Sequence, residues 1–206
     1  MELPTYLNSK FCKYYNENGA GCVVTTKVST TIVNGNEYII NLEKVNNIRR
    51  INKFHESINS KLKNNGIYVS CGETLLERKI RVRAKSPYGL KTIVRIIDFI
   101  YKRVFPKLPI FKYVYFEITK GHNRVMSKAE MLGRLISCGF EILEYFEHQN
   151  LFYIITRKKG EPKFNLEPSY GPLFKMERVG YRGKIIKVYK IRSMYPYSEY
   201  CQELII

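Results

Sequence analysis

An α/β architecture is expected from three features of this chain. Residues 45–62 carry apolar side chains at helical spacing (Val45, Ile48, Ile51, Phe54, Ile58 and Leu62), between two short apolar runs, Glu37–Leu42 and Ile67–Cys71, that read as strands. Ser127-Lys128-Ala129-Glu130 forms a capping box in front of a second periodic segment. That segment stops at Cys138-Gly139, and two β-rich runs joined by His148-Gln149-Asn150 follow, the pattern of an antiparallel hairpin. Helices interleaved with strands imply a sheet that carries helices on its faces.

Taken in order, Asn18-Gly19-Ala20-Gly21-Cys22 has the look of a nucleotide-binding glycine loop, but no strand precedes it, so an ordinary turn before a strand-like Val23–Val33 is expected. The helix of residues 45–62 is expected to stop at Asn64-Asn65-Gly66, since Asn and Gly tolerate the left-handed conformation. Pro87 breaks the next stretch. Leu90–Phe105 then reads as a helix with Leu90, Ile93, Val94, Ile97, Ile100, Tyr101 and Val104 on one side and Lys91, Arg95, Asp98 and Lys102 on the other. Phe111–Phe116 leans towards strand. Lys128–Ser137 is the capped helix, and Phe140–Phe146 with Leu151–Thr156 make the hairpin. Residues 159–170, with Gly160, Pro162 and Pro168, read as a linker. A last hairpin is expected from Leu173–Glu177, a glycine turn over Gly180–Gly183, and Lys184–Ile191.

The chain has 206 residues, 45% of them hydrophobic, which suits one or two packed domains and excludes a disordered composition. Five cysteines (Cys12, Cys22, Cys71, Cys138, Cys201) are scattered, odd in number and without a C-x-x-C pair. Neither a zinc site nor a disulfide framework is expected, and reduced cytosolic thiols are. Met1–Lys10 is polar and no run of about 18 apolar residues occurs, so no signal peptide and no spanning helix are expected.

Lys and Arg number 35 against 18 Asp and Glu, a net charge of +17. From Arg78 to Lys112 there are eleven basic residues and one acid, Asp98. So concentrated a stretch calls for an anionic partner: nucleic acid, a phospholipid surface or a phosphorylated substrate.

Residues 45–158 resemble the C-terminal half of a class I methyltransferase fold, in which a final helix, a Gly-Phe step and a hairpin recur. The glycine-rich cofactor loop and its acidic ribose partner have no match here. A partial methyltransferase-like (Rossmann-like) sheet that does not bind S-adenosylmethionine is therefore expected.

Residues 171–194 carry Gly-Pro-x-Phe, Glu-Arg-Val-Gly, Gly-Lys and Tyr-Lys-x-Arg-Ser-Met. This string resembles the signature of the bacterial sugar transferases, the monotopic polyprenyl-phosphate phosphoglycosyl transferases. The resemblance implies a domain order of methyltransferase-like leader (1–158, with a basic amphipathic insertion at 75–120), linker (159–170) and the truncated opening of a sugar transferase domain (171–206). It implies transfer of a sugar phosphate from a UDP-sugar to polyprenyl phosphate, assisted by Mg²⁺ in the complete enzyme. The family's Asp-Glu catalytic pair is absent, because Asp98 is the only Asp. An inactive N-terminal fragment with no catalytic residue and no bound metal is expected. Lys190, Arg192, Ser193 and Arg178 are the expected substrate-binding residues, with Lys190 and Arg192 on the diphosphate.

Two further readings stand beside this one, a catalytically dead membrane-associated scaffold and a basic nucleic-acid-binding protein. The insertion favours the first, because its cations alternate with aliphatic side chains at helical spacing. Lys91, Arg95, Lys102, Arg103, Phe99 and Phe105 are the expected contacts with an anionic membrane surface, at the cytoplasmic face of a bacterial inner membrane, with no nucleic acid as partner.

Overall fold

The computed structural model describes residues 5–11, 13–14, 21–24, 34–85, 91–101, 109–163, 173–191 and 193–204. Five strands form one sheet: β1 (Gly21–Val24), β2 (Asn36–Lys44), β3 (Leu62–Gly72), β4 (Phe140–His148) and β5 (Leu151–Lys158), in the order β1-β2-β3-β5-β4. The first three run parallel, and β5 is antiparallel to both β3 and β4. The expected α/β class is therefore observed, with a mixed sheet.

Alternation along the strands sorts the core into two layers. Ile39, Tyr68, Phe152 and Ile154 face α2 (Ile51–Lys61) and α6 (Lys128–Ser137), meeting Phe54, Ile58, Met131 and Leu135. Ile40, Ile67, Val69, Tyr153 and Ile155 face the other way, against Leu7 and Phe11 of α1 (Thr5–Phe11). Cys71, Cys138 and Cys201 are buried and free, and burial pushes the Cys71 and Cys138 thiols up to about 12.

Several elements match their sequence signals. Ser127 Oγ accepts a hydrogen bond from the Glu130 amide at 3.1 Å, the cap expected for α6. Gly139 ends that helix with φ +85°, and a Cβ there would lie 2.2 Å from the Gly160 carbonyl oxygen, so only glycine fits. Gln149 and Asn150 both adopt positive φ between β4 and β5, as a tight two-residue hairpin turn requires.

Others depart from expectation. The helix anticipated over 45–62 is a 3₁₀ turn, Val45–Asn47, followed by α2 from Ile51. The Asn46 side chain bonds distant backbone instead of continuing a helix. Asn65 is left-handed (φ 63°), as its type suggests, but it lies inside β3 rather than at a helix end. Phe111–Phe116 belongs to a helix, α5 (Pro109–Thr119), with Pro at the first helical position. An unanticipated helix, α3 (Leu75–Lys85), precedes α4 (Lys91–Phe99). The strand expected over 23–33 is β1, and 15–20 and 25–33 lie outside the described residues. The start of the expected linker is tied to the domain, with the Gly160 and Lys163 amides donating to the Gly139 and Ser137 carbonyls.

β6 (Leu173–Val179) and β7 (Ile185–Ile191) make a separate two-stranded sheet. Beyond it, a 3₁₀ segment, Ser198–Leu204, seats against α6. Asn52 Nδ2 donates to the Tyr197 hydroxyl at 2.9 Å, and the Arg134 guanidinium lies 4.4 Å from the Tyr197 ring centroid. Gly133 makes the approach possible, because a Cβ there would fall 2.0 Å from the Tyr197 carbonyl oxygen.

Two outcomes are expected. Gly133→Ala forces the Tyr197 backbone away and destabilises the fold by about 1–3 kcal/mol. A thiol reagent should then reach Cys201 faster, with amide protection in β3 and β5 retained. His55 is buried between α2 and the sheet with Nδ1 3.2 Å from the Tyr68 hydroxyl, and burial, aided by the Arg134 cation, lowers its pKa to about 3. Its unfolded value is about 6.5, so the unfolded chain takes the proton first. The stability that neutral His55 supports is complete above that value and is lost as pH falls towards the folded pKa, by about 1.4 kcal/mol per pH unit. Urea titrations between pH 7 and 5 should show this slope, and His55→Gln should flatten it.

Candidate ligand site at the carboxyl edge of the sheet

β2 and β3 are parallel neighbours, and their carboxyl ends open onto the same edge. In open α/β sheets this edge is where ligands bind. Each strand leads directly into a polar segment: β2 into Val45-Asn46-Asn47 and β3 into Glu73-Thr74 and α3.

Asn46 organises the edge. Its Nδ2 donates to the carbonyls of Glu73 (2.8 Å) and Arg124 (2.7 Å), and its Oδ1 accepts from the Glu73 amide (2.7 Å). The Glu73 carboxylate, 5% exposed, takes both an Nε and an Nη2 bond from Arg81 and lies 3.9 Å from Arg78. The hydrogen bond to Glu73 raises the Arg81 pKa further. Arg78 places its own fork on Asp98 of α4, at 3.0 and 2.6 Å. These pairs hold α3 and α4 to the sheet.

At the start of α3, Thr74-Leu75-Leu76-Glu77 is half a capping box. Glu77 Oε2 accepts from the Thr74 amide at 2.6 Å. Thr74 Oγ1 and Glu77 Oε1 are buried, with Thr74 1% and Glu77 3% exposed, and have no hydrogen-bond partner among the described residues. Both atoms can accept a hydrogen bond. Between α3 and α4 lies a cleft of about 520 Å³, walled by Leu75, Leu76, Ile80, Val82, Ile96 and Phe99, with Arg78 and Asp98 at its polar side and Lys79 and Arg83 among its lining.

The residues singled out in the sequence lie elsewhere. Arg178 is exposed on β6 opposite Ile186, near the turn, whereas Lys190 is exposed on β7 opposite Phe174, towards the open end. Ile186 and Lys190 are four positions apart, about 13 Å of strand, so the hairpin does not bring Arg178 and Lys190 together. Ser193 is exposed beyond β7, and Arg192 lies outside the described residues. Lys91 and Arg95 belong to α4, Phe99 is half exposed at its end, and Lys102, Arg103 and Phe105 lie outside the described residues. Sequence reasoning missed Asn46, Glu73, Thr74 and Glu77. A Thr-x-x-Glu signal directly after a strand was the available clue.

No protein-family model matches the chain, and no curated protein matches its sequence. Among solved structures, it is similar to a methyltransferase from Bacillus halodurans described as putative (11% identity, TM-score 0.40, 75% of this chain and 87% of that one). It is similar to an O-methyltransferase family 2 protein from Planctomyces limnophilus in complex with apigenin (12% identity, TM-score 0.38, 64% of this chain and 32% of that one). A third is a SAM-dependent methyltransferase from Methanosarcina mazei (13% identity, TM-score 0.35, 65% of each chain). The chain thus spans about a third of the Planctomyces protein.

These findings correct the sequence reading. The similar structures named here are methyltransferases and none is a sugar transferase, so the sugar transferase assignment falls, together with its UDP-sugar, polyprenyl phosphate and Mg²⁺. The scaffold and nucleic-acid readings gain no support. The expectation that S-adenosylmethionine plays no part is likewise corrected, since one similar structure is a SAM-dependent methyltransferase and another is PigF with SAH. The physical origin of the error lies in the 171–194 string: alternating residues around a glycine turn encode an exposed hairpin, whatever domain it belongs to.

Arg78 is expected to fasten α4 to the domain. Arg78→Ala strands Asp98 and removes two charge-assisted bonds, a loss of about 1–3 kcal/mol. Hydrogen exchange should show faster opening of residues 91–99, with β3 and β5 unchanged.

Proposed function

We propose that this chain is a methyltransferase-like module that takes a cofactor of the S-adenosylmethionine class at the carboxyl edge of its parallel strands. The observation that carries this reading is the pair of buried, unpartnered oxygens, Thr74 Oγ1 and Glu77 Oε1, at that edge. A buried acceptor without a donor costs about 1–3 kcal/mol, which a ligand bearing donors recovers on binding. The cofactor offers an ammonium and ribose hydroxyls, and these fit a carboxylate oxygen that only accepts beside a hydroxyl that can accept as well as donate. The strand order supports the same reading, with three parallel strands closed by an antiparallel hairpin.

When bound, the cofactor supplies an electrophilic methyl group. The chain's own part is to hold it. Glu77 and Thr74 accept hydrogen bonds from it. Asn46 fixes the Glu73 backbone that leads into Thr74, and Arg78 and Arg81 neutralise the adjacent Glu73 so that a second carboxylate does not repel Glu77.

Calorimetry with S-adenosylhomocysteine tests this. Binding in the micromolar range is expected. Glu77→Gln keeps an oxygen for the Thr74 amide but turns the free acceptor into a donor. It should weaken binding at least about tenfold, the loss of one charged hydrogen bond, with little change in melting temperature. No heat at millimolar ligand, or equal affinity in the variant, would contradict the proposal.

A further inference from the structure

Helix α4 faces the wrong way for a helix packed in a core. Ile93, Ile96, Ile97 and Ile100 follow helical i, i+3, i+4, i+7 spacing, and all four are exposed, Ile97 by 60%. The inward stripe is Val94, Asp98 and Tyr101, held by the Arg78 fork on Asp98 and by an edge-on contact between Tyr101 and Tyr115 of α5, 5.4 Å between ring centres. Those two ties join α3, α4 and α5. Leu76 and Ile80 of α3 line one cleft with Ile96 and Phe99, and Tyr113, Val114 and Ile118 of α5 are likewise more than half exposed. Such an extent of exposed apolar side chain marks an interaction surface.

We propose that α3, α4 and α5 form a docking surface for an anionic lipid bilayer, a role separate from the ligand site at the strand ends. Charge identifies the occupant. Lys79, Arg83 and Lys85 are exposed on α3, against one exposed acid among the described residues of these helices, Glu117 on α5. The sequence from Arg78 to Lys112 carries eleven cations, of which Arg78 and Arg81 are ion-paired, and a single acid. A second copy of this chain would bring the same positive charge and be repelled. Nucleic acid would satisfy the cations but has no use for a stripe of isoleucines. A bilayer with acidic headgroups takes both, the isoleucines at the acyl boundary and the cations among the phosphates.

Sedimentation with phosphatidylcholine vesicles, with and without about one third phosphatidylglycerol, tests this for the full chain. Binding to the acidic vesicles is expected, at least about tenfold weaker without phosphatidylglycerol and weakened by salt. Two variants separate the contributions, Ile93→Ser with Ile97→Ser, and Lys79→Glu with Arg83→Glu. Each should reduce binding at least about tenfold, with the melting temperature held. Equal binding to neutral vesicles, or undiminished binding by either variant, would overturn the proposal. So would a steep fall in melting temperature of the isoleucine variant, which would make the stripe core. A dimer that the isoleucine variant dissociates, without vesicle binding, would assign the surface to self-association. Duplex DNA binding in place of vesicle binding would also refute it.

Discussion

One buried side-chain amide, Asn46, holds the carboxyl edge together. Its three hydrogen bonds join the exit of β2, the exit of β3 and the segment that enters α6. A relay of charge runs outward from it. Asn46 sets the Glu73 backbone, the Glu73 carboxylate fixes Arg81 and faces Arg78, and Arg78 reaches Asp98 to hold α4. Without the amide, the buried Glu73 N–H and carbonyl lose their partners, at about 1–3 kcal/mol for each, and the part-buried Arg124 carbonyl loses one as well. A Cβ on Gly72 would lie 2.8 Å from Asn46 Oδ1, so the last residue of β3 is small enough to admit the bridge.

This organisation explains which parts of the fold the sequence announces. Ser127 and Glu130 act within one turn of each other, and Gln149-Asn150 turn the chain on the spot, so local rules suffice for α6 and the β4–β5 hairpin. Ile39, Tyr68 and Ile154 alternate because each faces a helix layer, and that period is also local. The break at Asn46 is different. Its partners are 27 and 78 positions away, and nothing in the neighbouring residues distinguishes this Asn from one on a helix surface. The aromatic run at 111–116 misleads for a related reason. β propensity describes a half-buried pleated surface, whereas Tyr113 and Val114 stand on an exposed helix that starts at Pro109.

The candidate site was the least legible part. Motif reading drew attention to cations at a hairpin end, where Lys190 is exposed and Arg178 is carried towards the opposite end. The residues at the strand ends are acids and amides scattered through an unremarkable stretch, and only the parallel register of β2 and β3 puts Asn46 beside Glu73. Conversely, the isoleucines of α4 were legible as a stripe but not as an outward one. Spacing gives a helix its face, while the Arg78–Asp98 and Tyr101–Tyr115 contacts decide which way that face turns.

The central claim is that a ligand occupies the edge governed by Asn46. Backbone amide shifts of the isotope-labelled chain, recorded as S-adenosylhomocysteine is added, test it most directly. Saturable shifts centred on residues 72–78 and on Asn46, with the β6–β7 hairpin silent, are the predicted result. Shifts confined to the hairpin, or no saturable shift at millimolar ligand, would contradict it.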